Sequence, residues 1–122
     1  MGKFTVKLEG VEDLIKKVKK LPQESQKKVA KVVVDYALKI QNSAKKRAPV
    51  RTGNLRRSIT AVFDYDYLGA WITAYAPYAD FVEFGTRKMK AQPYLYPAYF
   101  EYEKEYLNTL RKTILEVLSD DS

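Results

Sequence analysis

The sequence contains no cysteine and no histidine. Without cysteine there can be no disulfide bridge and no thiolate metal site, which is typical of proteins that fold in a reducing compartment. Without histidine the commonest general base and the commonest metal ligand are missing, so only carboxylate, lysine, serine or tyrosine chemistry remains. A glycine-rich phosphate loop and a nucleophile elbow are absent too. We therefore predict a protein that is not an enzyme and that needs no cofactor or metal.

Long apolar runs are also lacking. No stretch approaches the roughly 20 apolar residues needed to span a bilayer, and the first ten residues have no apolar core of the signal-peptide type. We expect a soluble, intracellular protein that does not bind membranes. The 122 residues contain no internal repeat and no linker long enough to separate domains, so one domain over residues 1–122 is expected.

Positive charge is abundant but uneven. Residues 1–57 carry 16 Lys and Arg against 5 Asp and Glu, and residues 58–122 carry 6 against 10, so the two parts have net charges of +11 and −4. A basic region and ten tyrosines are compatible with a basic nucleic-acid-binding module. However, no helix-turn-helix, RNA-recognition signature or zinc finger is present. Opposite charges on two parts of one chain equally favour contact between copies.

The first half of the chain shows one strand pattern and two helical patterns. Phe4, Val6 and Leu8 alternate with polar residues, which predicts a strand. Apolar residues at helical spacing predict a short helix over 11–18 and a long helix from Pro22 to residue 47. The apolar stripe of the long helix consists of Val29, Val33, Tyr36, Ile40 and Ala44.

The second half begins with residues rich in β-branched and aromatic side chains. They predict a hairpin of strands 58–63 and 70–75, in which the paired aspartates of segment 64–69 are turn residues and not calcium ligands. The hairpin is followed by a short helix from Pro77 to Gly85 and by a mobile basic loop over 87–92. A last helix then runs from Pro97 to about 118, with Phe100 facing inward. The fold class is thus α+β: a small antiparallel sheet of three or four strands packed against a long helix, with an additional short helix and a C-terminal helix.

Between the halves lies the segment 48–59, APVRTGNLRRSI. Pro49 cannot continue a helix, and the residues after Arg51, Thr52-Gly53-Asn54, favour a tight turn. Arg51, Arg56 and Arg57 place three guanidinium groups within seven residues, each able to bind a carboxylate or phosphate. We expect at least one of the three to contact a partner and the others to brace the fold.

Glu83 is the best candidate for a catalytic acid, because it is a lone acid close to Arg87. Such an acid beside a basic loop is far more often a surface ion pair than a general base. We therefore interpret Glu83 as a surface residue.

Three motifs occur in order: APVRTGNLRRSI at 48–59, YADFVEFGT at 78–86 and AQPYLYPA at 91–98. Over about residues 30 to 115 the chain resembles the tail-completion, or head-to-tail joining (neck), family of long-tailed bacteriophages and prophages. The family patterns are AP-x-x-TG-x-L-x-x-SI, YA-x-x-VE-x-GT and A-x-PFL-x-PA, and the chain departs from them mainly in having Tyr94 in place of phenylalanine.

The resemblance implies a non-enzymatic virion protein that joins the neck under the DNA-filled head to the tail. It implies other phage neck and tail proteins as partners, a monomer in solution and a hexameric ring after assembly in the host cytoplasm. DNA would pass nearby without sequence-specific binding. The residues predicted to form the subunit or partner interface are Arg51, Thr52, Gly53, Asn54, Arg56, Arg57, Glu83, Arg87, Lys88, Met89 and Lys90.

Overall fold

The computed structural model describes residues 3–50 and 53–120. Within these ranges the elements are β1 (Phe4–Lys7), α1 (Glu12–Val18), α2 (Gln23–Arg47), α3 (Asn54–Ser58), β2 (Ile59–Phe63), β3 (Ala70–Ala74), α4 (Ala79–Phe84) and α5 (Leu95–Asp120). The predicted α+β class is confirmed, and most of the predicted elements form within a few residues of their expected bounds. No helix in the described residues is long and apolar enough to cross a membrane.

The three strands form one antiparallel sheet in the order β1-β3-β2. Ile72 in the central strand lies opposite Val6 on one side and Ala61 on the other. The predicted hairpin of β2 and β3 is present, and its turn is closed by a hydrogen bond from the Asp64 N–H to the Gly69 carbonyl at 3.0 Å. Since Ala70, Ile72 and Ala74 are all buried, the sheet presents one face to the core.

Helices α2 and α5 pack against each other in antiparallel directions. The Tyr36 hydroxyl donates to the Glu105 carboxylate at 2.5 Å, and the Ser43 hydroxyl donates to Glu101 at 2.6 Å. Moving forward along α2 therefore means moving backward along α5. The predicted apolar stripe of α2 is confirmed, because all five of its residues are buried, and each buried valine or isoleucine removes enough apolar surface from water to contribute about 1.5–3 kcal/mol.

Helix α3 was not predicted. The residue pattern predicts a turn at Asn54 and a strand from Ser58, whereas residues 54–58 form a short helix after Gly53, which has a left-handed φ of +79°. Leu55 is buried and anchors this helix, and the Ser58 hydroxyl donates to the Leu55 carbonyl at 2.8 Å. Tertiary burial of one leucine here overrides the local preference for an extended chain.

Helix α5 differs from its prediction in two ways. It begins at Leu95 and not at Pro97, because a proline in the first helical turn loses no internal hydrogen bond. Phe100 was expected to face inward but is 60% exposed. The buried face of the helix passes through Tyr99, and each further residue is rotated by about 100° around the axis. Phe100 therefore stacks on Tyr96 at the surface, with ring centroids 5.8 Å apart.

Candidate functional site

Glu83, near the end of α4, binds the first backbone amides of α5. Its Oε1 accepts the N–H groups of Tyr94 at 3.1 Å and Leu95 at 2.9 Å, and its Oε2 accepts the N–H of Tyr96 at 3.1 Å. The first amides of a helix have no acceptor within the helix, and the positive end of the helix dipole favours a carboxylate there. One side chain thus caps α5 and joins it to α4.

The interpretation of Glu83 as a surface ion pair with Arg87 is wrong. Glu83 is only 3% exposed, and both of its oxygens are hydrogen-bonded to backbone amides. The error arose because α5 was predicted to begin too late, so no free amides were expected near Glu83. The carboxylate serves the fold and does not lie on an exposed contact surface.

Tyr94 strengthens the same connection from the other side. Its side chain is fully buried, and its hydroxyl donates to the Ala79 carbonyl at 2.9 Å. Burial, followed by the nearby charge of Glu83, raises the pKa of Tyr94 well above its ordinary value. The sequence motif YLYP showed a tyrosine in place of the family phenylalanine, but only the fold shows the acceptor that its hydroxyl binds.

The loop between α4 and α5 is a compact turn. Gly85 ends α4 with a φ of +79°, and the Thr86 N–H donates to the Met89 carbonyl at 2.8 Å. The Thr86 hydroxyl also accepts the N–H of Met89 at 3.0 Å. The Gln92 N–H donates to the Val82 carbonyl at 2.8 Å. These bonds define one conformation of the loop, and its mobility in solution stays a prediction.

Three cations of this loop are available for contact. Arg87, Lys88 and Lys90 are all exposed. Within the described part of the chain the ion pairs involve Lys19, Lys31 and Arg47, and none involves a loop cation. Unpaired cations beside an ordered turn are suited to binding an acidic partner.

Two of the three predicted arginines brace the fold. The Arg56 Nε donates to the Lys45 carbonyl at 2.9 Å, and the Lys45 ammonium donates to the Arg56 carbonyl at 3.2 Å. The Arg57 guanidinium donates to the Asn54 side chain and lies against Gly53. Arg51 and Thr52 lie outside the described residues. The expected contact role of an arginine in this segment therefore stays a prediction.

An apolar groove brings the two predicted contact segments together. It has a volume of about 520 Å³, and Asn54 of the first segment and Met89 of the second both line it. Its apolar wall includes Phe81, which is 53% exposed, and Tyr78, which is 38% exposed. The remaining lining residues are Pro49, Leu55, Val82, Thr86 and Gln92.

The aromatic wall of this groove was not predicted from the sequence. Tyr78, Phe81 and Val82 share one face of the short helix that was predicted from Pro77 to Gly85, but the exposure of this face was not predicted. A helix of six residues is too short for spacing alone to show whether its apolar face is covered. We define the groove together with Arg87, Lys88 and Lys90 as the docking end of the molecule. The described residues bring together no group of three or more carboxylates that could hold a metal ion.

Comparison with known protein families identifies a match over most of the chain. The model of the HK97-gp10-like family, described as "Bacteriophage HK97-gp10, putative tail-component", matches residues 12–85, more than half of the chain. This range includes α2, α3, the hairpin and α4. It therefore contains Glu83 but not the α5 amides that Glu83 binds. No curated protein matches the chain, and neither does any solved structure. The chain belongs to the HK97-gp10-like family of bacteriophage tail components.

Proposed function

We propose that this chain is a structural protein of the phage neck, which joins the head connector to the tail as a hexameric ring of subunits. The observation that carries the proposal is the docking end, where an exposed apolar groove adjoins three exposed cations that form no ion pair with the described residues. On a chain of a tail-component family, such a surface is suited to protein contact. The protein acts by binding other neck and tail proteins in the virion, and it performs no reaction.

The build of the molecule supports this role. A ring subunit needs a rigid body, and here the buried bonds of Glu83 and Tyr94 tie α4 to α5. It also needs surfaces that become covered on assembly. Exposed apolar patches rimmed by polar groups mark protein contact sites more often than isolated exposed residues do.

The nucleic-acid alternative has no specific structural support. Tyr94 and Tyr106 are buried in the core and cannot stack on bases. Fluorescence anisotropy with short duplex DNA tests this alternative directly. We expect weak binding that collapses as salt is added, as contact with phosphates alone does. Tight, sequence-selective binding at physiological salt would contradict the assembly role.

The neck role is tested by removing the gene from a phage or prophage that encodes it and examining lysates by electron microscopy. We expect DNA-filled heads and tails of normal length that do not join, and we expect a plasmid copy of the gene to restore complete particles. Complete particles without the gene would refute the proposal. Missing tails or tails of abnormal length would place the protein in tail construction and not in the neck.

A further inference from the structure

The last two turns of α5 combine exposed apolar and acidic residues. Leu115 is 58% exposed and Leu118 is half-buried, while Glu116 and Asp120 are exposed on the same turns. We call these four residues the acidic end of α5. Their composition is the complement of the docking end, which pairs an apolar groove with exposed cations.

Glu116 and Asp120, unlike Glu101, have no ion-pair partner among residues 3–50 and 53–120. Glu101 binds Ser43 and Arg47, and Glu105 accepts the hydroxyl of Tyr36. Glu103 interacts with Tyr99. Within the described residues, no ion pair involves Glu116 or Asp120. These two acids are therefore available to a partner.

The position of these acids on the helix adds a second argument. The last turn of α5 contains no basic residue, although the negative end of a helix dipole favours cations. In the isolated chain, Glu116 and Asp120 add negative charge to an end that is already negative. A cationic partner surface would relieve this repulsion.

The acidic end of a chain cannot reach the docking end of the same chain. Tyr36 lies level with Glu105, and the two helices run in opposite directions. At 1.5 Å per residue, Glu116 lies about 16 Å from that level in one direction and Pro49 about 20 Å in the other. The two surfaces thus lie at opposite ends of the helix pair, roughly 35 Å apart.

We propose that the acidic end of α5 docks into the groove of a second copy of the chain, with Leu115 against the groove and Glu116 and Asp120 against Arg87, Lys88 and Lys90. The contact joins two different surfaces, so a pair of copies still has one free groove and one free acidic end. Repetition of such a head-to-tail contact produces a closed ring or an open filament. The inference rests on the proposed self-assembly and names the surfaces that perform it.

Disulfide trapping tests the contact, because the chain has no cysteine of its own. Met89→Cys and Leu115→Cys are introduced into separate chains carrying tags of different size, and the two are mixed under oxidising conditions. We expect a heterodimer of Met89→Cys with Leu115→Cys. The control pairs Met89→Cys with Leu38→Cys, since Leu38 is 41% exposed on α2 and belongs to neither surface. Equal yields from the two mixtures would overturn the inference.

Charge reversal tests the ionic part of the contact. In the trapping chains, Lys88→Glu with Lys90→Glu, or Glu116→Lys with Asp120→Lys, should each lower the heterodimer yield at least about tenfold. Reversing both surfaces together should restore the yield. All four positions are exposed, so neither pair of substitutions should lower the melting temperature, and Glu116→Lys with Asp120→Lys should raise it slightly because cations favour the C-terminal end of a helix. Loss without restoration would overturn the ionic pairing.

The outcomes separate this inference from the proposed function. If the two trapping yields are equal and removal of the gene leaves heads and tails unjoined, the contact between copies is refuted and the neck role is retained. If Met89→Cys traps Leu115→Cys selectively and removal of the gene still gives complete particles, the contact between copies is retained and the neck role is refuted.

Discussion

Glu83 accepts the backbone N–H of Tyr94 at 3.1 Å, and the Tyr94 hydroxyl returns to α4 by donating to the Ala79 carbonyl at 2.9 Å. The Ala79 carbonyl lies one helical turn before Glu83. The chain between α4 and α5 is thus fixed where it leaves one helix and where it enters the next. The buried bonds therefore set the position of the exposed cations of the loop.

Removing the Glu83 carboxylate should destabilise the protein strongly. Glu83→Ala leaves three backbone amides without their acceptor, so the free energy of unfolding should fall by roughly 2–4 kcal/mol. Glu83→Gln should lower the free energy of unfolding by less, because the glutamine Oε1 can still accept the N–H groups of Tyr94 and Leu95. Its amide group, however, would face the N–H of Tyr96, which it cannot accept. Urea unfolding measures both, with exposed Glu24→Gln as the control. Equal losses in the two Glu83 variants would contradict the geometry.

Tyr94→Phe restores the residue of the family pattern but removes the bond to Ala79. Because the hydroxyl is buried and bonded, we expect a loss of about 1 kcal/mol in the free energy of unfolding. Tyr65→Phe is the matched control, since Tyr65 is 96% exposed and should lose nothing. A Tyr94→Phe variant as stable as the wild type would show that the hydroxyl makes no net contribution to the free energy of unfolding.

Alkaline pH should unfold the protein through its buried tyrosines. Burial and the hydrogen bond with Glu103 raise the pKa of Tyr99 from 10.0 to about 12, and burial raises the pKa of Tyr94 and Tyr106 further. A raised pKa in the folded state means that stability is fully present below pH 10 and is lost as the pH rises toward the raised values.

Tyrosinate absorbance recorded against pH measures this behaviour. Tyr94, Tyr99 and Tyr106, whose pKa values are raised, should ionise together with the loss of circular dichroism. Tyr106→Phe should reduce the late part of the absorbance change. If all ten tyrosines ionised near pH 10 with the fold intact, the assignment of these groups to the core would be wrong.

Gly85→Ala should disrupt the loop. At a φ of +79° an added Cβ would lie 2.8 Å from the Ala91 nitrogen and 2.9 Å from the Met89 oxygen, both of them backbone atoms. We expect a loss of about 2 kcal/mol or more in the free energy of unfolding, together with faster tryptic cleavage at Arg87 and Lys88. Gln92→Ala, in the same loop, should change neither the free energy of unfolding nor the rate of tryptic cleavage. An unchanged cleavage rate in Gly85→Ala would show that the loop does not depend on this glycine.

The elements that could be predicted from the sequence are those whose pattern extends over many residues. The stripe from Val29 to Ala44 identified α2, and the β-branched residues around Ile72 identified the hairpin. Short elements were less predictable. The five residues of α3 are held by the burial of Leu55 and by the bond between Arg56 and Lys45, and no local pattern contains that information.

The candidate site was predicted in part. The sequence predicted that the turn segment and the basic loop belong to a subunit or partner interface. It could not show that Asn54 and Met89 line one groove. It also assigned Glu83 to the surface, because the acceptor role of a carboxylate depends on amides that lie 11 to 13 residues further along the chain. Contacts of this range arise from the fold and leave no periodic signal.

The order of the strands has a consequence for the synthesis of the protein. Within the described residues β1 pairs with β3 alone, so Phe4 has no sheet partner until Ala74, the residue opposite it, has been synthesised. Helix α2 depends likewise on α5, which is made about 50 residues after it and brings the partners of Tyr36 and Ser43. Because contacts between distant residues slow folding, α2 cannot complete its part of the core before α5 has been synthesised. Until then the apolar stripe of α2 lacks its partner helix, and the nascent chain is most prone to aggregation.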